Sequence, residues 1–305
     1  MKVSTFRADT HSVDNRGEYR DPLMKWPLRG AAFTNEVGEA LRPLIGGYAT
    51  LTWVPVLMYI GADVYDKYKN DETEYSPDSR RLLKQAIFQG LSSILLPIAA
   101  VKIGQGLFSQ FGRLSKDKIT TNSKETVSKV AEDFIANGQM RAFHNKDAEC
   151  SQVFLDKVHN RIDFKRHSES SKNPITKFFN KIEAKIFKPN PELLDRYAKS
   201  TINDLIETRK KILNPTDEFK KTQVYKDYSH FLSKGQTSNV AIKSALINSQ
   251  QRKMLKGRVV KTIGGFIALG LAIKPIDNFV ENVLIGKWVG PGIDKIEPKK
   301  SKSND

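Results

Sequence analysis

Twenty consecutive residues without a charge, PLIGGYATLTWVPVLMYIGA from Pro43 to Ala62, constrain this chain more than any other feature. At 1.5 Å per helical residue, about twenty apolar residues cover the hydrocarbon core of a bilayer. A second run, QAIFQGLSSILLPIAAV, covers seventeen residues from Gln85 to Val101, and a polar connector of 22 residues, Asp63 to Lys84, joins the two. The pattern predicts a helical hairpin over 36–112. Such a hairpin either spans a membrane or forms a buried core covered by the rest of the chain. Tyr48 lies near one end of the first run and Tyr59, Tyr65 and Tyr68 near the other, as an interfacial aromatic belt requires. Length favours the membrane. The low mean hydropathy of the whole chain does not oppose it, because two spans diluted by polar chain give the same average.

Local signals add detail to each arm. Pro55 falls in the middle of the first run, which membrane helices accommodate better than soluble ones. Trp53, next to it, is expected to meet the partner arm. Ser76-Pro77-Asp78 reads as the start of the second arm, with a capping hydroxyl, proline in the first turn and an acid behind it. From there a helix is expected to run to about Phe111, kinked at Pro97. Ala86 and Gly90, and again Ala100 and Gly104, place small residues four apart, a spacing that allows close helix approach. The second run carries Gln85, Gln89, Ser92 and Ser93, and it extends past Lys102 only if that lysine snorkels.

Charge separates the middle of the chain from its ends. Residues 1–101 hold 12 Lys/Arg against 12 Asp/Glu, residues 102–258 hold 31 against 17, and the last 47 residues hold 7 against 5, which together give the net +16. The basicity therefore belongs to a helical domain expected over 113–257, where LLDRYAKSTINDLIETRKKIL and ITKFFNKIEAKIF each form one apolar stripe. Asn173-Pro174, Asn190-Pro191 and Asn214-Pro215 read as joints in which Asn caps and Pro opens the next helix. RHSESSKN, 166–173, reads as the internal linker. An anionic lipid surface is the partner that this charge fits most economically, with a protein partner as the other option. Nucleic acid fits less well, because the basic residues are interleaved with acids and no helix-turn-helix or RNA-binding motif appears.

The flanks read differently. Residues 1–35 are polar and broken by glycine and proline, an irregular arm before a helix that begins near Glu36 with Thr34 or Asn35 as cap. Residues 258–291 hold twelve uncharged positions, Thr262 to Ile273, between Lys261 and Lys274, followed by an amphipathic stretch expected to end at Gly286 or at Gly290-Pro291-Gly292. Twelve residues are too few to span unless both lysines snorkel or the bilayer thins, so this element reads as re-entrant, interfacial, or a lid on the hairpin. Residues 292–305 are expected to form a disordered tail.

No catalytic, cofactor-binding or metal-binding residue is assigned from the sequence. Gly104-Gln-Gly106 follows a helix rather than a strand and lacks the third glycine of a dinucleotide turn, and no GxSxG, HExxH or CxxC is present. His159, Asp163 and His167 share one helical face at a spacing of four, but the surrounding cations favour a His–Asp surface contact over a metal. Cys150 is the lone cysteine, with no base fixed beside it. At TLTWVPVLMYIGADVYDKYKND and KPIDNFVENVLIGKWVGPGIDK the chain resembles uncharacterised bacterial membrane-associated helical proteins. That resemblance pairs the two regions and implies no activity, cofactor or ligand.

The expectation is an all-α protein with a membrane-type hairpin, a basic helical domain and a C-terminal amphipathic or re-entrant element. It is expected to act as a non-enzymatic membrane anchor that presents the basic domain to partners or anionic lipid. Flanking charges mildly favour a cytoplasmic basic domain. The alternative is a soluble all-α binding module whose apolar hairpin is its core.

Overall fold

The computed structural model describes residues 23, 25–70, 77–139, 147–166 and 190–296, with the backbone alone at 163–166. The arm before Leu23, most of the RHSESSKN linker, the ITKFFNKIEAKIF stripe and the tail beyond 296 lie outside the described residues. Every regular element among those described is helical. In order they are α1 (Leu28–Ala31), α2 (Thr34–Ile45), α3 (Trp53–Lys69), α4 (Ser79–Phe88), α5 (Leu96–Ser109), α6 (Thr121–Ala136), α7 (Asp147–Arg166), α8 (Pro191–Leu213), α9 (Asp217–Lys220), α10 (Gln223–Ser233), α11 (Ser238–Phe279) and α12 (Gly290–Ile293). Wider π-helical turns join α4 to α5 (Gln89–Leu95) and α11 to α12 (Val280–Val289), and 3₁₀ turns occupy Gly46–Thr52 and Gln110–Leu114. The chain divides into two compact units, residues Met1–Gln105 with Thr262–Asp305, and residues Gly106–Lys261.

In the first unit the twenty-residue uncharged run is not one straight helix. Gly46 adopts φ 59°, a left-handed conformation that glycine reaches without steric cost, and ends α2 there. The 3₁₀ stretch then packs back on α2, so that a Cβ on Gly38 would collide with the Thr52 side chain. Pro55 is consequently the third residue of α3 rather than the middle of a span, where its missing N–H would be unpaired in any case. Trp53 meets α2 through its Nε1, which donates to Glu39 Oε1 at 3.2 Å. The expected caps at Thr34 and Asn35 are not used either. Thr34 is already helical and bonds back to the Ala31 carbonyl at 2.9 Å, while Asn35 is buried among other helices.

The second arm runs without interruption from Ser79 to Leu114. Its cap is Asp78, whose carboxylate accepts the Arg80 N–H at 2.8 Å, so Pro77 stands outside the helix instead of opening it. Arg80 also grips this carboxylate through its side chain, which holds the Asp78 pKa below the usual carboxylate value. The C-terminal region departs most from expectation. Instead of a new element at Arg258, one helix begins at Ser238, and helical structure continues through Gly286 and Gly290-Pro291-Gly292 to Ile293. Twelve apolar residues bounded by lysines had looked too short. Helical structure over 56 residues removes that limit, since an apolar window can include a charge at its edge. At its far end Lys84 Nζ of α4 reaches Asp294 at 2.6 Å.

In the second unit, α6, α7, α8 and the start of α11 surround one apolar core that includes Val127, Phe134, Phe154, Val158, Ile202 and Leu246. Phe134 and Phe154 meet edge to face with ring centroids 5.6 Å apart, a favoured aromatic geometry. The LLDRYAKST stripe faces this core through Leu194, Ile202 and Leu205, whereas Leu213 at its end is exposed. Asn190 caps α8 and Pro191 opens it, as its dipeptide predicts. Asn214-Pro215 behaves otherwise. Asn214 closes α8, Thr216 caps α9, and Pro215 lies between them. Asn173-Pro174 is outside the described residues.

Candidate functional site

The first unit buries polar side chains between apolar helices, and two prolines explain where several of them go. Pro97 has no N–H for the Ser93 carbonyl four residues back, and the chain widens into a π turn just before it. The Ser93 carbonyl accepts from the Asn35 amide of α2 at 2.9 Å. Pro43 does the same to Glu39, and the Glu39 carbonyl accepts from the Gln105 amide of α5 at 2.8 Å. Each helix therefore supplies an amide to a carbonyl four residues before a proline of the other. A buried carbonyl without such a donor costs about 1–3 kcal/mol.

Around these two bonds lies a continuous set of buried polar groups. Asp63 of α3 accepts from the amides of both Gln85 and Gln89, and Gln89 Oε1 in turn accepts from the Ser93 hydroxyl at 2.5 Å. Gln85, Gln89 and Ser93 are four apart, so one face of the second arm carries all three. One turn or more away, the buried Glu39 carboxylate is held by Arg42, with Nε at 2.8 Å, by Trp53, and by Lys102, with Nζ at 3.6 Å. Lys102 stays partly exposed while its charge pairs with the buried Glu39. A buried charge keeps its place only with such partners.

Small residues bring the helices this close. A Cβ on Gly104 would collide with the Gly264 carbonyl and with Ala268 Cβ, so the α5 backbone lies directly on the Gly264–Ala268 edge of α11. Ala40, Val101 and Leu269 pack into a small apolar cluster at the same place, and Gln105 Nε2 lies 3.2 Å from where a Gly265 Cβ would stand. The spacing Ala100–Gly104 therefore marks a real close approach. Ala86–Gly90 does not, since nothing lies within 4 Å of a Cβ at Gly90.

Among the described residues, these buried polar groups join helices of the first unit to one another. His159 pairs through Nε2 with Asp195 of α8 at 2.8 Å. The side chain of Asp163 and all of His167 lie outside the described residues, and no group of three metal-ligating side chains occurs among those described. Cys150 is buried in the second unit, and burial raises its thiol pKa, which keeps it protonated at neutral pH. Burial likewise pushes the Tyr197 hydroxyl up to about 12.

No family model matches this chain, no curated protein is similar to it, and no solved structure resembles it.

The sequence contained a usable signal for the buried polar set. Gln85, Gln89 and Ser93 repeat at four-residue intervals inside an apolar run, beside a proline that frees a carbonyl. As composition alone they counted against a membrane span. As one helical face, they are the side turned toward other helices.

Proposed function

We propose that this chain is a membrane-embedded helical protein whose apolar helices anchor a basic helical domain at an anionic lipid surface or to an acidic partner. The observation that carries the proposal is an inversion of the usual solvent preference in the first unit. Three helical stretches, Thr34–Lys69, Ser79–Leu114 and Ser238–Ile293, are long and apolar enough to cross a membrane, yet only 11%, 33% and 22% of their most apolar windows are buried. Leu57, Met58, Ile103, Ile267 and Leu271 point outward, while Asn35, Glu39, Asp63, Gln89 and Ser93 point inward. Water favours the opposite pattern, since large contiguous apolar patches are rare on soluble monomers. Lipid favours this one, because helices in a bilayer associate through small residues and internal polar contacts.

The soluble-module alternative requires these helices to be a covered core, and their outward apolar faces weigh against it. The net +14 of 102–258 gives the anchored domain an attraction to anionic headgroups or acidic protein, which falls with salt. Fractionation of the full-length protein tests the anchor. It is expected in the membrane pellet, resistant to alkaline carbonate and released by detergent. Full-length protein that stays soluble at both low and high salt would overturn the reading.

A further inference from the structure

In the second unit a cleft of about 770 Å³ opens where the second apolar stretch ends, lined by Arg113, Lys118, Thr120, Ser123, Asn190 and Glu192 among others. We propose that it is a phosphate-binding site that takes the headgroup of an anionic phospholipid. Two observations carry this. Arg113 and Lys118 both line the cleft, both are exposed, and neither makes an ion pair among the described residues. Other cations of this unit are matched, among them Lys124 with Asp117, Lys210 with Asp147, Arg252 with Asp227, Lys253 with Asp204 and Lys261 with Glu125, while exposed Lys221 and Lys234 make no ion pair among the described residues but do not line this cleft. Two unmatched cations on one concave wall form a ready seat for a phosphate, which arginine grips through paired N–H donors and lysine as a point charge.

The wall itself is firmly built. Ser115 Oγ donates to the Gly112 carbonyl at 2.6 Å, the Asn122 N–H donates to Ser109 Oγ at 3.0 Å, and a Cβ on Gly112 would press on the Ile119–Thr121 backbone. The first N–H groups of α6 and α8 are not the donors. Thr120 already caps Ser123, and Asn190 caps Glu192 and Leu193. Glu192 brings one negative charge to the rim, so replacing it with a neutral residue should tighten phosphate binding. The headgroup assignment rests on the membrane reading, because Arg113 and exposed Leu114 close the apolar stretch Ser79–Leu114 and would lie at headgroup depth. The phosphate chemistry does not depend on it.

The test uses full-length protein in detergent, with inorganic phosphate and glycerol phosphate as soluble probes and phosphatidylglycerol or phosphatidylcholine nanodiscs as lipid probes. Arg113→Ala/Lys118→Ala should weaken phosphatidylglycerol binding about tenfold or more. The charge-matched control Lys221→Ala/Lys234→Ala should stay within about twofold, and Glu192→Gln should strengthen binding. Equal losses in the two double variants would overturn the site in favour of diffuse charge. So would absence of binding to every probe. Soluble phosphates binding as tightly as phosphatidylglycerol would overturn the headgroup assignment and retain the phosphate site. Failure of the anchor reading shows separately, as wild-type protein that does not pellet with membranes.

Discussion

At the scale of single residues, polar atoms in the first unit are placed by what proline takes away. Asn35 and Gln105 lie far apart in sequence, yet each supplies an amide to a carbonyl four residues before a proline. Asn35→Leu keeps the approximate shape, and is expected to lower stability by about 1–3 kcal/mol by removing its amide donor to the Ser93 carbonyl. Pro97→Ala restores the backbone N–H, so the same Asn35→Leu change in that background should cost much less. Thermal unfolding of the four proteins in detergent measures the cycle, and equal costs in both backgrounds would rule out the exchange. In the second unit, Asp227 loses solvation on folding, but hydrogen bonds from Gln223, Arg252 and Asn248 outweigh this and hold its pKa below the ordinary carboxylate value. A depressed folded pKa means the stabilisation is complete above the unfolded value and lost as pH falls through the folded one, below about pH 4. Unfolding of wild type should therefore become easier on acidification through that window. Asp227→Asn should be less stable at neutral pH and flatter below it.

At the scale of elements, the balance between helix propensity and packing decides what each glycine does. Gly104 carries the contact between α5 and α11, and Gly104→Ala is expected to cost about 1–3 kcal/mol because the new methyl has only the Gly264 backbone and Ala268 to displace. Gly90 faces open space, and Gly90→Ala should instead stabilise by roughly 0.5–1 kcal/mol by restricting the unfolded chain. Opposite signs for the two substitutions, read as melting temperatures in detergent, are the prediction; a common sign refutes it. Both positions belong to small-residue pairs at the same spacing, and sequence alone does not separate them. What separates them is a tertiary neighbour, α11, more than 150 residues away in the chain. The same limit applies to helix limits. Asn190-Pro191 is locally complete and reads correctly. Gly46 ends α2 because its backbone takes a left-handed conformation, which looks from sequence like one more small residue in an uncharged run.

At the scale of the whole molecule, the helical class was legible from periodicity, and the apolar stretches from hydropathy. Where lysines bounded a stretch, hydropathy counting misjudged length. Lys102 lies inside a helix with Glu39 at 3.6 Å, and Lys261 lies within α11 with Glu125 at 2.6 Å. Treating each lysine as the end of a span turned a third long helix into a twelve-residue fragment. The outward apolar faces now allow a test that opposes the two solvents directly. Met58 and Leu271 are each more than 70% exposed. If lipid covers them, Met58→Lys and Leu271→Lys should each disfavour the inserted state, by up to about 3 kcal/mol where the position lies near mid-bilayer and less toward the interface. The protein should then shift from the carbonate-resistant pellet toward aggregate or soluble fractions. If water covers them, a lysine at so exposed a site changes stability by no more than about 0.5 kcal/mol and improves solubility. A variant that keeps its fold and becomes more soluble would mean that these faces are not in contact with lipid.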